Sequence, residues 1–413
     1  MQPFLLRPFP DQLQSLRHFF LCAVAFTIPF PFAIALNSIL NIGFAACTLV
    51  LFALYPHPRW HWSFLLPAAF VLFTIVYVPF SSAPVPAWHL AERKLLLGAL
   101  PLLAMLAPLS RQTLLDALFY FISAILLVAF AALVLAIGLH ARSGESFVFL
   151  GTSILYPFGL HRVFISFMAL LACLAILGCD KAFLGKARWP VFASLLVWHI
   201  WLSSRTGLIT VCVLVIAYGL WQIISRRRYW LSAGLGLALC VIGLLVWQVP
   251  YIHNMLLDID PRRNIPSSAS VDSNDGLATR LYIWKAAISC ISRAPLLGHG
   301  RIEAQEHLNQ EYQKQGFSLG VQYQYNCHNQ YLQTWLEHGI LGLILLLSIV
   351  FTPAFLARKR RQPFGYFLSI AFFIPLCTEI ILEVQKGATT FALALVLFLS
   401  LSYLGKDQEA ASL

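Results

Sequence analysis

The chain has 413 residues, of which 59% are hydrophobic and 11% are charged, and its mean hydropathy is +0.76. A soluble globular protein has about a quarter of its residues charged, so this composition excludes an ordinary soluble domain. The formal net charge of +11 does not indicate a nucleic-acid partner, because most Lys and Arg residues stand in short clusters between apolar runs, where they orient membrane helices. The composition predicts a protein whose solvent is membrane lipid.

Apolar runs of membrane-spanning length recur along the chain, since a hydrocarbon core about 30 Å thick needs about 20 residues of helix. The pattern predicts an all-α, polytopic integral membrane protein with about 12 transmembrane helices. The first run is interpreted as a membrane helix and not as a secretory signal, because it is too long and has no convincing cleavage site. The predicted spans are 18–36, 38–55, 62–80, 94–109, 113–139, 160–178, 189–203, 206–225, 229–249, 335–356, 364–383 and 387–404.

Three basic clusters orient these spans, and all three fall on one side of the predicted topology. They are residues 181–188, 226–228 and 358–361. The positive-inside bias makes that side the cytoplasm and places one large loop, 250–334, on the periplasmic or outer side. The sequence therefore divides into N-terminal transmembrane helices, a second group of transmembrane helices, the periplasmic loop, and C-terminal helices with a short cytoplasmic tail. The corresponding ranges are 1–150, 151–249, 250–334 and 335–413.

The large loop has two parts. It is rich in Pro, Ser and Asp as far as Gly276, and from Leu277 onward it has a helical pattern. Leu281, Trp284 and Ile288 recur at helical spacing and predict one face of an amphipathic helix, which the segment PLLGHG ends. A second polar helix is predicted at about 301–315.

Two arginines in this topology are candidates for binding phosphate. Arg205 lies beside Ser204 in a short turn at the outer membrane boundary. Its planar guanidinium group is suited to bind a phosphate. The alternative is an interfacial arginine that snorkels to water and binds no ligand. Arg280 lies one turn before Trp284, whose ring suits a sugar face, and the alternative is an ordinary surface arginine.

One histidine stands in a polar strip where the chain re-enters the membrane. His328 is followed by Asn329, and a histidine there can take a proton from an attacking hydroxyl or can simply serve at the helix end. Position alone does not separate it from three other histidines, which are His299, His307 and His338.

Other charged residues allow more than one interpretation. Lys94 stands beside Glu92 and Arg93 in a cluster that either compensates itself or helps to hold phosphate. Glu379 and Glu383, with Lys386 nearby, form either an internal ion pair or part of an acceptor site. The Asp258 and Asp260 pair has the Asp-x-Asp form of a metal and nucleotide-sugar site, but a solvated outer loop is its ordinary explanation. No zinc spacing or disulfide framework is visible among the 9 cysteines.

Three spaced segments resemble the O-antigen ligase family. ATRLYIWKAAISCISRAPLLGHG, a polar spacer and CHNQYLQTWLEHGILGL resemble its signature region, and SSRTGLIT upstream is similar to its arginine-bearing turn. The resemblance covers about residues 155–345. It implies that Arg205 and Arg280 bind a diphosphate and that His328 is the essential histidine, with Arg162 as a further basic position. We also expect Trp284, Asn329 and Ser204 to contact substrate.

The resemblance also implies an activity and a location. Members move a glycan from undecaprenyl diphosphate to an acceptor hydroxyl on the periplasmic face of the bacterial inner membrane, without a metal, cofactor or nucleotide sugar. Single displacement with His328 as the base would invert the anomeric centre. Ligation to lipid A-core in lipopolysaccharide biosynthesis is the first expectation.

Glycan transfer to other acceptors and one different class of protein, a transporter, remain as alternatives. Polymerisation of O-antigen or exopolysaccharide repeat units is the second expectation, and transfer to a protein hydroxyl is the third. A secondary transporter has a similar layout of twelve helices, although transporters tend to show two similar halves. Here the halves differ, and the polar residues gather at one boundary.

Overall fold

A computed structural model of the protein describes residues 9–144, 146–149, 153–202, 205–227, 236, 276–360 and 363–411. Within these ranges the regular elements are helices, and none of the described residues lies in a strand. The predicted all-α class is confirmed for this part of the chain.

The α-helices are numbered in chain order over the described residues. They are α1 Phe9–Thr27, α2 Ile34–Leu54, α3 Trp62–Val76, α4 Pro84–Glu92, α5 Leu95–Leu106, α6 Arg111–Ser143, α7 Arg162–Gly178, α8 Arg188–Trp201, α9 Arg205–Arg226, α10 Gly276–Ile291, α11 Arg301–Lys314, α12 Ser318–Tyr323, α13 Gln330–Arg360, α14 Phe364–Leu376 and α15 Gln385–Ala411.

Several of these helices are suited to cross a membrane, and the chain is a multi-pass membrane protein. Among the described residues, 6 apolar segments are long enough to do so, and they are Ile34–Leu54, Trp62–Phe80, Arg111–Ser143, Thr206–Ile224, Gln330–Lys359 and Gln385–Leu404. Shorter apolar helices occupy Leu95–Leu106, Arg162–Gly178 and Phe364–Leu376. The number of twelve spans stays a prediction, and the ninth predicted span, 229–249, lies outside the described residues.

Two predicted spans are wrong at their ends because prolines interrupt them. The predicted span 18–36 is broken, since α1 ends at Thr27 and a 3-10 turn at Pro31–Ala33 precedes α2. The predicted span 364–383 ends early, because α14 stops at Leu376, directly after Pro375. Proline removes a backbone donor and ends helices in this way. The chain from residue 377 to residue 384 is instead a non-helical connection with one 3-10 turn; we call it the 377–384 connection.

The membrane helices share one hydrophobic core, and the second half of the large loop has another. In the main core α1 packs against α2 and α6, α5 packs against α3 and α15, and α14 packs against α9 and α13. The loop core joins α10, α11 and the start of α13 through buried side chains that include Ile283, Leu308, Tyr312, Phe317 and Leu336. The predicted helical part of the loop is a packed helical unit from Gly276 onward, and the predicted Pro/Ser/Asp-rich part before it lies outside the described residues.

The buried face of α10 differs from the predicted one. Ile283, Ala287 and Cys290 are fully buried, whereas Leu281 is 44% exposed and Ile288 is 58% exposed. The predicted stripe is wrong because small residues, which add little to an apolar pattern, carry the contact with α11.

The two ends of the bundle differ in charge. Gly178 at the end of α7 lies against the ring of Phe364 at the start of α14, and Tyr218 near the end of α9 contacts the ring of Phe367. The described parts of the three basic clusters therefore share one end. The opposite end carries the 377–384 connection and the loop unit.

Candidate active site

Glu379 joins two of the candidate residues. The Nη2 atom of Arg280 donates a hydrogen bond to Glu379 Oε1 over 2.7 Å, and His328 Nδ1 lies 3.4 Å from Glu379 Oε2. The side chains of Arg280 and His328 are 26% and 30% exposed, while that of Glu379 is 15% exposed. Arg280 and His328 are thus partly exposed, and the carboxylate that joins them is more deeply buried.

The segment before α13 holds His328 in a strained conformation. The φ angle of His328 is +43°, in the left-handed region that costs a side chain of this kind on the order of 1 kcal/mol or more. Asn326 Oδ1 accepts the backbone N–H of His328 at 2.9 Å, and Gln333 Oε1 accepts that of Cys327 at 3.0 Å. Surrounding contacts therefore fix this conformation, as is common where strain serves a site.

Two residues that are predicted to contact substrate make hydrogen bonds to the backbone around His328. The indole N–H of Trp284 donates to the carbonyl of Cys327 at 3.0 Å. Asn329 Oδ1 accepts the backbone N–H groups of Tyr331 and Leu332 at 2.9 and 3.0 Å, which is the N-cap of α13. In this arrangement Trp284 and Asn329 hold His328 from either side.

The charge of Glu379 determines which nitrogen of His328 carries a proton in their contact. Burial favours the neutral carboxyl, but the hydrogen bond from His328 and the charge of Arg280 outweigh it and lower the pKa of Glu379. An ionised carboxylate only accepts hydrogen bonds, so His328 Nδ1 carries the proton in that contact. In the neutral ring with this tautomer, Nε2 is the nitrogen that has no proton.

The starts of two further helices reach the same site. His161 is the N-cap of α7, and burial lowers its pKa. The negative charge of Glu379 raises that pKa, whereas the positive charges of Arg162, His328 and Arg280 lower it further. The start of α7, with Arg162, is therefore close to Glu379, Arg280 and His328, which we call the Glu379 group. The residue after Arg205, Thr206, hydrogen-bonds over 2.6 Å to the residue before Glu379, Thr378. This contact places the start of α9 beside the site, while Ser204 lies outside the described residues.

The three rival histidines lie elsewhere. The rings of His299 and His307 contact each other at an interplanar angle of 52°, with centroids 4.4 Å apart, and His299 Nε2 is 2.9 Å from the carbonyl of Cys290. His338 is buried, and its ring contacts that of Tyr77. Of the four histidines that sequence position could not separate, His328 is the one beside Arg280.

A buried network of two cations and two carboxylates supports the 377–384 connection. Lys94 Nζ lies 2.7 Å from Glu383 Oε1 and 3.7 Å from Glu337 Oε2. Arg301 pairs with Glu337 and lies 3.7 Å from Glu383 Oε2. Gln330 also donates to Glu383 at 2.9 Å and accepts the backbone N–H of Leu382 at 2.9 Å. We call Lys94, Arg301, Glu337 and Glu383 the four-charge network.

This network answers two questions that the sequence left open. Lys94 is not compensated by its neighbours in sequence, because its partners are distant carboxylates and Glu92 pairs with His89. Glu383 belongs to the network, and Glu379 belongs to the site. Burial favours a neutral carboxyl, but Lys94 and Arg301 outweigh it and lower the pKa of Glu383. The four charges are thus mutually compensated.

The Asp258 and Asp260 pair lies outside the described residues. Within the described ranges, no group of three or more His, Cys, Asp or Glu side chains is arranged to hold a metal ion.

Comparison with known proteins identifies the segment that carries this site. Residues 190–347 match the family model described as O-antigen ligase. This segment belongs to the O-antigen ligase family. The match begins later than the predicted resemblance, which started at about 155, and ends near the same residue.

The O-antigen ligase segment contains part of the site and not all of it. Arg205, Arg280 and His328 lie inside residues 190–347, whereas Arg162 and Glu379 lie outside. A curated relative from Haemophilus influenzae, an uncharacterized protein, is 28% identical over 130 residues. The matched region covers 30% of this chain and 32% of the relative, so the chain spans about a third of the length of the curated relative that it matches.

Proposed function

We propose that the protein is a membrane glycosyltransferase that moves a glycan from undecaprenyl diphosphate to an acceptor hydroxyl. The observation that carries this proposal is the Glu379 group, in which one carboxylate holds Arg280 and His328 side by side. The O-antigen ligase segment supports the same activity. The proposed location is the bacterial inner membrane, with the site on the periplasmic face, because the basic clusters are at the other end of the bundle.

In the proposed reaction, His328 Nε2 takes the proton of the acceptor hydroxyl as its oxygen attacks the anomeric carbon. The new carbon–oxygen bond forms as the bond from that carbon to the diphosphate oxygen breaks, and undecaprenyl diphosphate leaves. Arg280 and Arg205 are proposed to stabilise the charge on the departing diphosphate, with Arg162 as a third cation. Attack from the face opposite the leaving group inverts the centre, and the route uses no metal.

The contacts of Arg280 support this proposed role. Its Nη2 donates to Glu379, which leaves the other guanidinium N–H groups for phosphate oxygens. Glu379 also offsets cationic charge before the donor binds, so the cluster of arginines is not left uncompensated. Trp284 and Asn329 are proposed to position His328 and not to bind sugar, because their hydrogen bonds already serve that turn.

The test replaces the two exposed residues in a strain that lacks the chromosomal gene. We expect His328→Ala to lower transfer by about 10²- to 10⁴-fold, as loss of a general base does, and Arg280→Ala by about 10²- to 10³-fold. Lys285→Ala, on an exposed position of the same helix, is the matched control and should transfer normally. Immunoblots of membranes establish equal amounts of each variant. Full transfer by both His328→Ala and Arg280→Ala would refute the proposal.

The acceptor is proposed to be lipid A-core, and the banding of lipopolysaccharide on a gel tests this choice. Loss of all long chains with an intact core indicates a ligase, whereas a core with one repeat unit indicates a polymerase. Unchanged lipopolysaccharide with a lost secreted polysaccharide indicates an exopolysaccharide polymerase, and loss of glycan from a protein indicates a protein O-oligosaccharyltransferase. Binding of the lipid-linked glycan without turnover would favour a transporter.

A further inference from the structure

A cleft between α1, α2 and α15 contains a lysine that neither the active site nor the four-charge network uses. Its polar lining includes Thr27, Asn37, Gln385 and Lys386. Lys386 lies in the first turn of α15, immediately after the 377–384 connection. The cleft is therefore at the same end of the bundle as the candidate active site.

The charge of Lys386 is not balanced by a carboxylate in the described structure. Its Nζ donates to the backbone carbonyl of Phe30 over 2.7 Å, a neutral acceptor that leaves two of its three donors available. The nearby Glu383 pairs with Lys94 and Arg301 instead. No described acidic side chain takes its place, since no ion pair joins Lys386 to one. A cation at membrane depth is costly unless an anion or water compensates it.

The rim of the cleft is apolar and faces outward. Phe32 is 81% exposed, Ile34 is 47% exposed and Val384 is 38% exposed. Ile34 lines the cleft, whereas Phe32 and Val384 lie just before α2 and α15; both helices have the length and hydropathy of membrane spans. A soluble anion would gain nothing from such a rim. A lipid fits both parts, because its headgroup phosphate can approach the partly exposed Lys386 while its acyl chains lie against the apolar rim.

We propose that this cleft binds the phosphate of an anionic membrane lipid, with Lys386 as its main contact. The remaining N–H groups of Lys386 donate to the phosphate oxygens, and the positive ends of the α2 and α15 helix dipoles add to its attraction. The amide of Gln385 is already held by Ser38 at 2.9 Å, so it contributes to the shape of the cleft more than to the binding of phosphate. The site is distinct from the donor site, because Lys386 contacts neither Arg280, His328 nor Glu379.

The test measures lipid binding by the purified full-length protein and does not depend on transfer activity. Phosphatidylglycerol is titrated into the protein in detergent and bound lipid is counted by native mass spectrometry, with phosphatidylcholine as the lipid that lacks net charge. We expect wild type to hold one phosphatidylglycerol in preference to phosphatidylcholine. Lys386→Met should weaken that binding by about fivefold or more, the contribution of one lysine at a lipid surface.

Two further variants make the result decisive. Lys314→Met removes the same charge from an exposed position on the loop and should leave phosphatidylglycerol binding unchanged. Lys386→Arg keeps the charge and should keep the binding, and Lys386→Gln replaces Lys386→Met if the latter does not fold. Unchanged binding by the neutral variant would overturn the proposal. Displacement of the lipid by millimolar inorganic phosphate would also overturn it, because the ligand would then be a free anion.

Discussion

Glu379 holds two basic side chains in place before a substrate arrives, so its loss should impair catalysis without removing a reacting group. Glu379→Gln keeps the size of the side chain but removes its charge, and Arg280 and His328 each lose an anchor. We expect transfer to fall by about a hundredfold, since small misplacements of catalytic groups have effects of that size.

The measurement for Glu379→Gln is the initial rate of glycan transfer in membranes with equal amounts of protein. Because a positioning residue acts on the reaction step, the loss should appear in kcat more than in KM for the acceptor. Glu379→Asp, which keeps the charge, should restore part of the rate. If Glu379→Asp and Glu379→Gln lose transfer equally and both insert poorly into the membrane, Glu379 is needed only for folding.

The same carboxylate should contribute to stability in a way that depends on pH. The pKa of Glu379 is lower in the folded protein than its ordinary value of 4.5, so the folded state favours the ionised form. Its contribution is fully present above about pH 4.5 and is lost as the pH falls through the lower folded value. Thermal unfolding of wild type and Glu379→Gln should therefore differ by a constant amount between neutral pH and about pH 5 and should converge in stronger acid. A difference that grows in acid would contradict the assigned ion pairs.

At the level of single residues, the sequence identified the exposed members of the site and not the residue that joins them. Arg280 and His328 stand out because charged and polar residues are rare in so apolar a chain. Glu379 was visible too, but its partners are 99 and 51 residues away in sequence. No local spacing indicates a contact of that range, so the sequence left open whether Glu379 belongs to an internal ion pair near Lys386 or to an acceptor site.

At the level of helices, the four-charge network fixes the 377–384 connection against α5, α11 and α13. Lys94→Met leaves one cation for two buried carboxylates, and we expect it to destabilise the protein by about 3 kcal/mol, as the loss of one partner of a buried ion pair does. Thermal unfolding of the purified variant measures the effect. Lys359→Met, at an exposed position, is the control and should unfold like wild type.

The charge balance of the network provides a sharper test. Lys94→Met with Glu383→Gln leaves Arg301 and Glu337, which pair with each other, and the sum of charges is again zero. The double variant should therefore be more stable than Lys94→Met alone, as coupled residues in one network are not additive. If it is less stable by the sum of both single effects, the two side chains are not coupled.

A close backbone contact joins the α10–α11 turn to α13. Gly339 has a φ of +64°, and a Cβ there would collide with the carbonyl of Leu296. Gly339→Ala should therefore displace the turn and lower both stability and transfer, whereas Gly138→Ala, which meets nothing within 4 Å, should be neutral or slightly stabilising. Limited proteolysis of the loop together with thermal unfolding measures the difference. A Gly339→Ala variant that matches Gly138→Ala in both would refute the contact.

Hydropathy predicted most of the described apolar helices and missed the elements that lack a long apolar run. Helix α4, Pro84–Glu92, and the short α12, Ser318–Tyr323, were not predicted. Helix α4 packs against α3, the 3-10 turn Val78–Phe80 and α11, and its buried residues are only Ala87 and Ala91. Membrane spans can be predicted from a single sequence because their length and hydropathy define them. Contacts between short elements such as these depend on the three-dimensional fold.

At the level of the whole molecule, the two ends of the helix bundle differ in the arrangement of their charged residues. The basic clusters gather where α7 ends and α14 begins, and the site, the four-charge network and the Lys386 cleft gather where α14 ends. At the first end Arg358 and Lys359 are exposed, although Arg188 is buried and donates to backbone carbonyls. Most charges at the second end are paired with one another. The first pattern suits a surface that orients helices, and the second suits a site at membrane depth.

This separation predicts that the loop unit and the basic clusters lie on opposite sides of the membrane. A reporter phosphatase that folds only outside the cytoplasm should be active when it is fused after Lys314, in the exposed part of α11, and inactive when it is fused after Lys186 or Lys359. Green fluorescent protein at the same three positions should give the reverse pattern. The positive-inside bias gives the direction, because each basic cluster resists translocation. Phosphatase activity after both Lys314 and Lys186 would place the two ends on one side, and the proposed periplasmic site would then be wrong.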